Sequence, residues 1–533
     1  MGINSAWKST CKVLLKEEIG DLKGYEYYLK KFMGPVSAKR KSVLSGKQVT
    51  TADDDFGLPT RFISNSERDQ YAKLYSKPFD INRIKDIDSA IQELEERFIY
   101  SGDIVLGKSV AVENCQRCTD VSDTYWSQDV SDSRNIAYCS MLRYSTFVFG
   151  SDCTGEIDFV IKNFQGWKSR RLMETTNTQY CSDVYFSANM RYSAECMFCF
   201  NQEGKRNMIG NLQLGKDEYS KLKQKLVEDI RGELGSKKDI VSINELLGAP
   251  PRAGKCEKRP ATWDVGGKKH FASDCPQELD KAFASACSVL FGRKLSGKMT
   301  DYEKWLMKNV RAPPKSKSKL SGKSLYILPI LFNEPVRDTH ISLEEARQAS
   351  RLHISEEDAQ KLCISNAKQI LKPVALFTSD VKLGENVQVK DTVSFADSIN
   401  IFGSSTMYGS KNCAYGCWVS HNAENMFGCD HTFYSKFCIH AYRSLKLVRC
   451  FEISDSKDCS DCFFCHNCEN CHECMFCFNV KSKRYAIGNV EVGREKYSKI
   501  KKMLQQEIAK RLEEKKEIGI GIYNIGCQIK GKK

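Results

Sequence analysis

Asp458–Asn479 reads DCSDCFFCHNCENCHECMFCFN and places a cysteine at 459, 462, 465, 468, 471, 474 and 477. A thiolate is a nucleophile and a metal ligand, and Cys-x2-Cys is the spacing of tetrahedral zinc sites. Three uses fit such a run. The thiols could be small apolar filler in a thin interior, they could hold zinc through Cys459, Cys462, Cys471 and Cys474, or they could form disulfides across neighbouring coils. A zinc site has two pairs separated by a loop that folds them together, whereas this spacing never breaks. The corresponding positions of an earlier stretch hold Val184, Ser187, Met190 and Ser193 where the run has 462, 465, 468 and 471. Filler is therefore the first reading. Zinc and disulfides stay open as the second and third.

Other candidates for chemistry are fewer. Five of the eight histidines, His421, His431, His440, His466 and His472, lie near the cysteine run but out of its phase. They are expected to point outward as surface polar residues, with a histidine-bearing metal face as the alternative. Two basic stretches hold Lys39, Arg40 and Lys41 in SAKRKS (37–42), and Lys315, Lys317 and Lys319 in RAPPKSKSKLSGK (311–323). They read as solvated loops or, alternatively, as contacts to nucleic-acid phosphates. LSGKS (320–324) is not a phosphate loop, because Lys317 stands where the first glycine belongs. No nucleophile–base pair stands out, so an enzyme is not expected.

The 533 residues are enough for several cores, and 41% hydrophobic with 28% charged residues is ordinary for a soluble chain. A net charge of +14 and a pI near 8.7 permit an acidic partner without requiring one. No apolar run reaches the ~18 residues of a membrane span, and the first residues lack a signal-peptide pattern. The expected location is intracellular or a virion, with no membrane partner. Twenty-five cysteines, an odd number, suit free thiols or metal ligands better than a closed disulfide framework.

The elements that position these residues come twice. AECMFCFNQEGKRNMIGNLQLGKDEYSKLKQKLVEDI (194–230) returns as HECMFCFNVKSKRYAIGNVEVGREKYSKIKKMLQQEI (472–508), offset by 278. Upstream segments match in the same order, which predicts a tandem duplication of a module of about 277 residues. The expected divisions are a helical or mixed segment (1–103), a β-region (104–215), an amphipathic helix (216–245) and a linker (246–275). The series then repeats as 276–380, 381–493, and a helix with a basic tail at 494–533. The helices carry apolar stripes at Tyr219, Leu222, Leu226 and Ile230, and at Tyr497, Ile500, Leu504 and Ile508.

Between them a period of three governs the sequence. Every third residue from Val480 back to Ala414 is small or aliphatic, 23 in succession. Chance gives that on the order of 10⁻⁵. The series from Cys199 back to Ile136 obeys the same rule. A helix has period 3.6 and a flat strand period 2, and long 3-10 runs are rare. A narrow right-handed parallel β-solenoid remains, its corners sending one side chain inward per triplet. CSDCFFCHN (459–467) recurs as CHECMFCFN (471–479), so the expected coil is twelve residues. The fold class is thus α+β, with each solenoid flanked by helices. It resembles the twelve-residue-coil β-helix of beetle antifreeze proteins.

A second resemblance rests on Cys471, Cys474, Cys477, Asn479, Tyr485, Ile487, Asn489 and Tyr497. This Cys-x2-Cys-x2-Cys…Tyr-x-Ile-x-Asn pattern with its following helix is similar to cysteine-repeat proteins of environmental archaea and bacteria and their viruses. The first copy departs from it at Ser193. The resemblance implies a fold and no activity. The expected function is a non-enzymatic structural or assembly protein that needs no cofactor, a rigid building block of a larger complex such as a virus particle. Its partners would be itself or other structural subunits. The alternative is a basic nucleic-acid-associated protein, stabilised by zinc in the second copy.

Overall fold

A computed structural model describes residues 2–33, 38–51, 60–250, 270–271 and 273–527. Most of the linker read at 246–275, and the basic tail from 528, lie outside the described residues. The chain is mixed α+β. Mainly parallel strands form one sheet between Val105 and Gln213 and a second between Val381 and Glu491. Among the described residues, no helix is long and apolar enough to cross a membrane.

The period of three has a backbone cause. From Asp120 to Tyr144 every third residue has a φ between 45° and 57°, in the left-handed region. Two extended residues followed by one left-handed residue turn the chain at each triplet, and four triplets bring it back over itself. Strands accordingly pair in parallel with a partner twelve residues on: Arg134 with Thr146, Ser140 with Asp152, Ile453 with Cys465, Cys474 with Ala486. A left-handed non-glycine residue costs roughly 1–2 kcal/mol. Asp and Asn tolerate it best, and they occupy such corners at Asp455, Asp458, Asp461, Asn467, Asn470 and Asn479.

The inward positions are small because they must also return hydrogen bonds. Ser187 Oγ donates to the Tyr185 carbonyl at 2.7 Å and accepts the Cys199 amide at 2.9 Å, twelve residues on. Cys139 does the same, donating to the Ala137 carbonyl at 3.2 Å and accepting the Ser151 amide at 3.4 Å. Serine and cysteine are therefore interchangeable in kind at these slots. Val, Leu, Ile, Met and Ala fill most of the others.

The inward series breaks once in the second sheet. The buried interior residues run Met407, Cys413, Val419 and then Ala423, Met426, Cys429, so Ser420, Cys417 and Ala414 are not inward as the unbroken period requires. His421 and Asn422 are both left-handed, and the pairing slips from Tyr408 with Ser420 to Ser410 with Ala423. One extra residue at a corner shifts every earlier inward position by one.

The described residues belong to two compact units that do not follow the halves of the sequence. One comprises 1–36, 107–259 and 314–380; the other comprises 37–106, 260–313 and 381–533. Segments 37–106 and 314–380 hold corresponding places in the two halves, and each is built into the unit of the opposite sheet. The long helices are Ile3–Leu15 and Lys216–Lys237 in the first unit, and Gln277–Phe291 and Arg494–Lys515 in the second. Tyr219, Leu222, Leu226 and Ile230 are buried, as are Tyr497, Ile500, Leu504 and Ile508.

Candidate functional site

All seven cysteines of the opening run are buried in the second interior. Their thiols face backbone oxygens: Cys459 donates to the carbonyls of Lys457 (3.3 Å) and Cys468 (3.5 Å), and Cys462 to those of Ser460 (3.3 Å) and Cys471 (3.5 Å). Cys471 and Cys474 repeat this with the residues two before and nine after. Among the described residues no group of three or more His, Cys, Asp and Glu side chains is placed to hold a metal ion. Burial pushes isolated interior thiols upward: Cys181 and Cys413 to about 12, and Cys139 and Cys429 further. A thiol so placed is a packing group, poor as a nucleophile.

The outer face of each sheet is where polar side chains do structural work. In the first unit the corner column Asn177, Asn189, Asn201 forms a ladder. Asn177 Nδ2 donates to the Thr378 carbonyl and Asn201 Nδ2 to the Leu376 carbonyl, both at 2.6 Å. In the second unit Asn467 Nδ2 donates to Asn479 Oδ1 (3.0 Å), and Asn479 Nδ2 to the Ile99 carbonyl (2.7 Å). Asn201 and Asn479 are 278 residues apart, and Leu376 and Ile99 are 277 apart. The same bond is thus made twice, each time to a segment of the other half. Arg68 strengthens the second clamp, its Nε donating to the Asn479 carbonyl (2.9 Å) and its Nη2 to that of Asn467 (3.0 Å).

Buried ionisable pairs fix the remaining segments. Lys162 and Glu174 are fully buried 3.9 Å apart. Lys162 Nζ donates to the carbonyls of Tyr28 (3.1 Å) and Lys31 (2.8 Å), and Glu174 accepts the Ile243 amide (2.9 Å). Burial lowers Lys162 to about 8 despite the opposing pull of Glu174, and burial raises Glu174 despite Lys162. At 278 residues' offset stand His440 and Glu452, paired at 2.5 Å, with His440 Nε2 facing the Trp305 carbonyl (3.1 Å) and Glu452 accepting the Ile522 amide (2.7 Å). A third pair joins Arg311 Nη2 to Asp430 Oδ1 at 2.7 Å. Burial alone would raise Asp430, but the guanidinium prevails and holds it well below the carboxylate range.

The histidines differ from the sequence expectation. His431, His440 and His466 point away from the interior as expected, yet they are buried, because other segments of the chain cover that face. His466 Nε2 accepts the Ser101 amide at 3.0 Å, which leaves the ring proton on Nδ1, toward Ser454 Oγ (2.8 Å) and Asp455 (3.4 Å). His472 alone of the five is exposed, and His421 is half-buried. The buried pairs and the asparagine clamps were missed in the sequence. The available signal was Asn at twelve-residue intervals, at 177, 189 and 201.

The basic residues fall on two hairpins, one per unit: Ala38–Lys41 with Gln48–Thr51, and Lys315–Lys317 with Ser324–Tyr326. Lys41, Lys315, Lys317 and Lys319 are exposed. Lys39 Nζ donates to Thr50 Oγ1 at 2.8 Å, and Arg40 lies over the Phe62 ring. Both tips are held alike: Ser42 Oγ accepts the Leu44 amide and donates to Glu67, and Ser318 Oγ accepts the Leu320 amide and donates to Glu345. Comparison of this chain with known protein families, with curated proteins and with solved structures finds no match.

Proposed function

We propose that the chain is a tandem duplication of a module built on a narrow right-handed β-solenoid, and that it works as a non-enzymatic assembly unit. The observation that carries the reading is the asymmetry of the sheet ends. The late ends are closed by antiparallel turns, Ile209 with Leu212 and Ile487 with Val490. On the early side, among the described residues, Val110–Glu113 pairs only with Ser122–Tyr125 and the start of Val387–Ala396 pairs only onward with Ile399–Phe402, beside the short strands Val105–Leu106 and Val381–Leu383. Val110 and Val387, at matching places in the two halves, are 70% and 53% exposed. A parallel edge with unpaired amides and carbonyls and an apolar side chain is a template for another chain. The exchange of segments 37–106 and 314–380 supports the same reading, since the contacts that join halves within one chain can also join two chains.

Sedimentation velocity of the full chain without nucleic acid should show species heavier than the 60.6 kDa monomer growing as concentration rises into the range of ~50 µM. Val110→Lys with Val387→Lys should abolish them, because charge on an edge blocks pairing. A monomer at every concentration would contradict the reading. The hairpins favour a second reading, nucleic-acid association through Lys41, Lys315, Lys317 and Lys319. That predicts salt-dependent binding that weakens when these lysines are neutralised.

A further inference from the structure

A cleft of about 760 Å³ opens in the first unit between the helix Lys216–Lys237, the end of the helix Ile3–Leu15 and the last strands of the first sheet. Lys16, Arg206, Lys216, Lys223 and Arg231 line it, against the carboxylates of Glu195 and Glu228. Glu195 is already paired with Lys223 at 2.5 Å, and Arg231 reaches Glu17 at 3.1 Å. Arg206 and Lys216 are exposed and make no ion pair among the described residues. Tyr219 also lines the cleft; it is 2% exposed, and its hydroxyl has no hydrogen-bond partner among the described residues.

The second unit supplies an internal comparison. Arg484, Arg494, Lys501 and Glu473 stand where the first unit has Arg206, Lys216, Lys223 and Glu195, each 278 residues on. Asn207 is matched by Tyr485, and both are left-handed corners, with φ of 53° and 50°. The Tyr485 ring packs edge-on against Tyr497 at 5.9 Å and under the Arg484 guanidinium at 5.2 Å. Tyr497, the counterpart of Tyr219, donates to the Asp461 carbonyl at 3.3 Å. In the first unit the smaller Asn207 leaves the place of that ring open, with the cations retained around it.

We propose that this cleft binds a multiply charged phosphate group, with Arg206, Lys216 and Lys223 as the cations that contact it. The volume lies within the range of small-molecule sites, and several amines and guanidinium groups suit phosphate oxygens. The phosphates could belong to a free polyphosphate anion or to a nucleic-acid backbone; the site's chemistry is the same for both. It is independent of the open sheet edges.

Isothermal titration calorimetry of the full chain with inorganic tripolyphosphate in ~0.15 M salt should give saturable binding with one site per chain. Asn207→Tyr, which copies the filled cleft of the second unit, should weaken it at least tenfold. Arg206→Gln with Lys216→Gln, two exposed positions outside the packed core, should weaken it comparably. Competition by a ten-residue oligothymidylate would assign the phosphates to a backbone; its failure to compete would assign them to a free anion, and either supports the site. Absence of saturable binding, or binding unchanged in both variants, overturns the proposal.

Discussion

Raising the pH from 8 to about 10.5 should unfold the protein cooperatively and make its interior thiols reactive together. Cys181 and Cys413 are pushed to about 12 by burial, and Cys11, Cys139, Cys287 and Cys429 are raised also. The folded state therefore keeps protons that the unfolded chain releases near the ordinary thiol value of 9.0. A group raised in the folded state contributes stability that is intact below the unfolded value and is lost as pH rises above it. Each such thiol costs about 1.4 kcal/mol per pH unit beyond that point. Each is thus a sizeable share of a total stability of roughly 5–15 kcal/mol, and the raised thiols act in the same direction. Lys162, lowered to about 8, works in the opposite sense, because its burial penalty is relieved as pH rises from 8 toward 10.5. One amine offsets at most about 3 kcal/mol, so the thiols prevail. Far-UV circular dichroism and a thiol-reactive dye, followed across the same pH series, should give coincident transitions. A stable fold at pH 11 would contradict the account of the interior.

Glu174→Ala should be the most damaging single substitution among the buried pairs, costing about 3–5 kcal/mol as a shift in the urea midpoint. It removes the acceptor of the Ile243 amide and leaves Lys162, already lowered to about 8, without its counter-charge. It should thereby loosen two segments at once, the one carrying Tyr28 and Lys31 and the one carrying Ile243. Replacing both partners by apolar side chains, as Lys162→Met with Glu174→Leu, should recover much of the loss, because no buried charge then remains unpaired. A double substitution as harmful as the sum of the single ones would mean that the pair is not coupled.

Much of the local architecture was legible in the sequence. The triplet rule and the twelve-residue repeat follow from left-handed corners, which Asp and Asn occupy because their short polar side chains tolerate positive φ. The helical stripes at Tyr219–Ile230 and Tyr497–Ile508 follow from the 3.6 period. The break at His421–Asn422 was not legible, since one added corner residue leaves small residues such as Ser420 and Ala414 at every third place. Nor was the exchange of segments. Asn201 and Asn479 can each clamp either Ile99 or Leu376 with the same bond, so composition is equal for the two partners and only the path of the chain decides. The histidines were misplaced for a related reason: period reports which side of a strand a residue occupies, while burial of that side depends on a segment hundreds of residues away. The basic cleft depends on a ring that is missing at Asn207, visible only beside Tyr485.

The central claim is that the cysteines are packing groups of two filled interiors, and intact-protein mass spectrometry after thiol alkylation tests it most directly. Native conditions should leave the interior thiols of both sheets unmodified, with Cys275, Cys363 and Cys527, the half-buried ones among the described residues, modified first. Denaturation without reductant should then expose all 25 to alkylation, and the native mass should carry no zinc. A retained zinc ion, or thiols missing from the denatured count because they are paired in disulfides, would contradict the account.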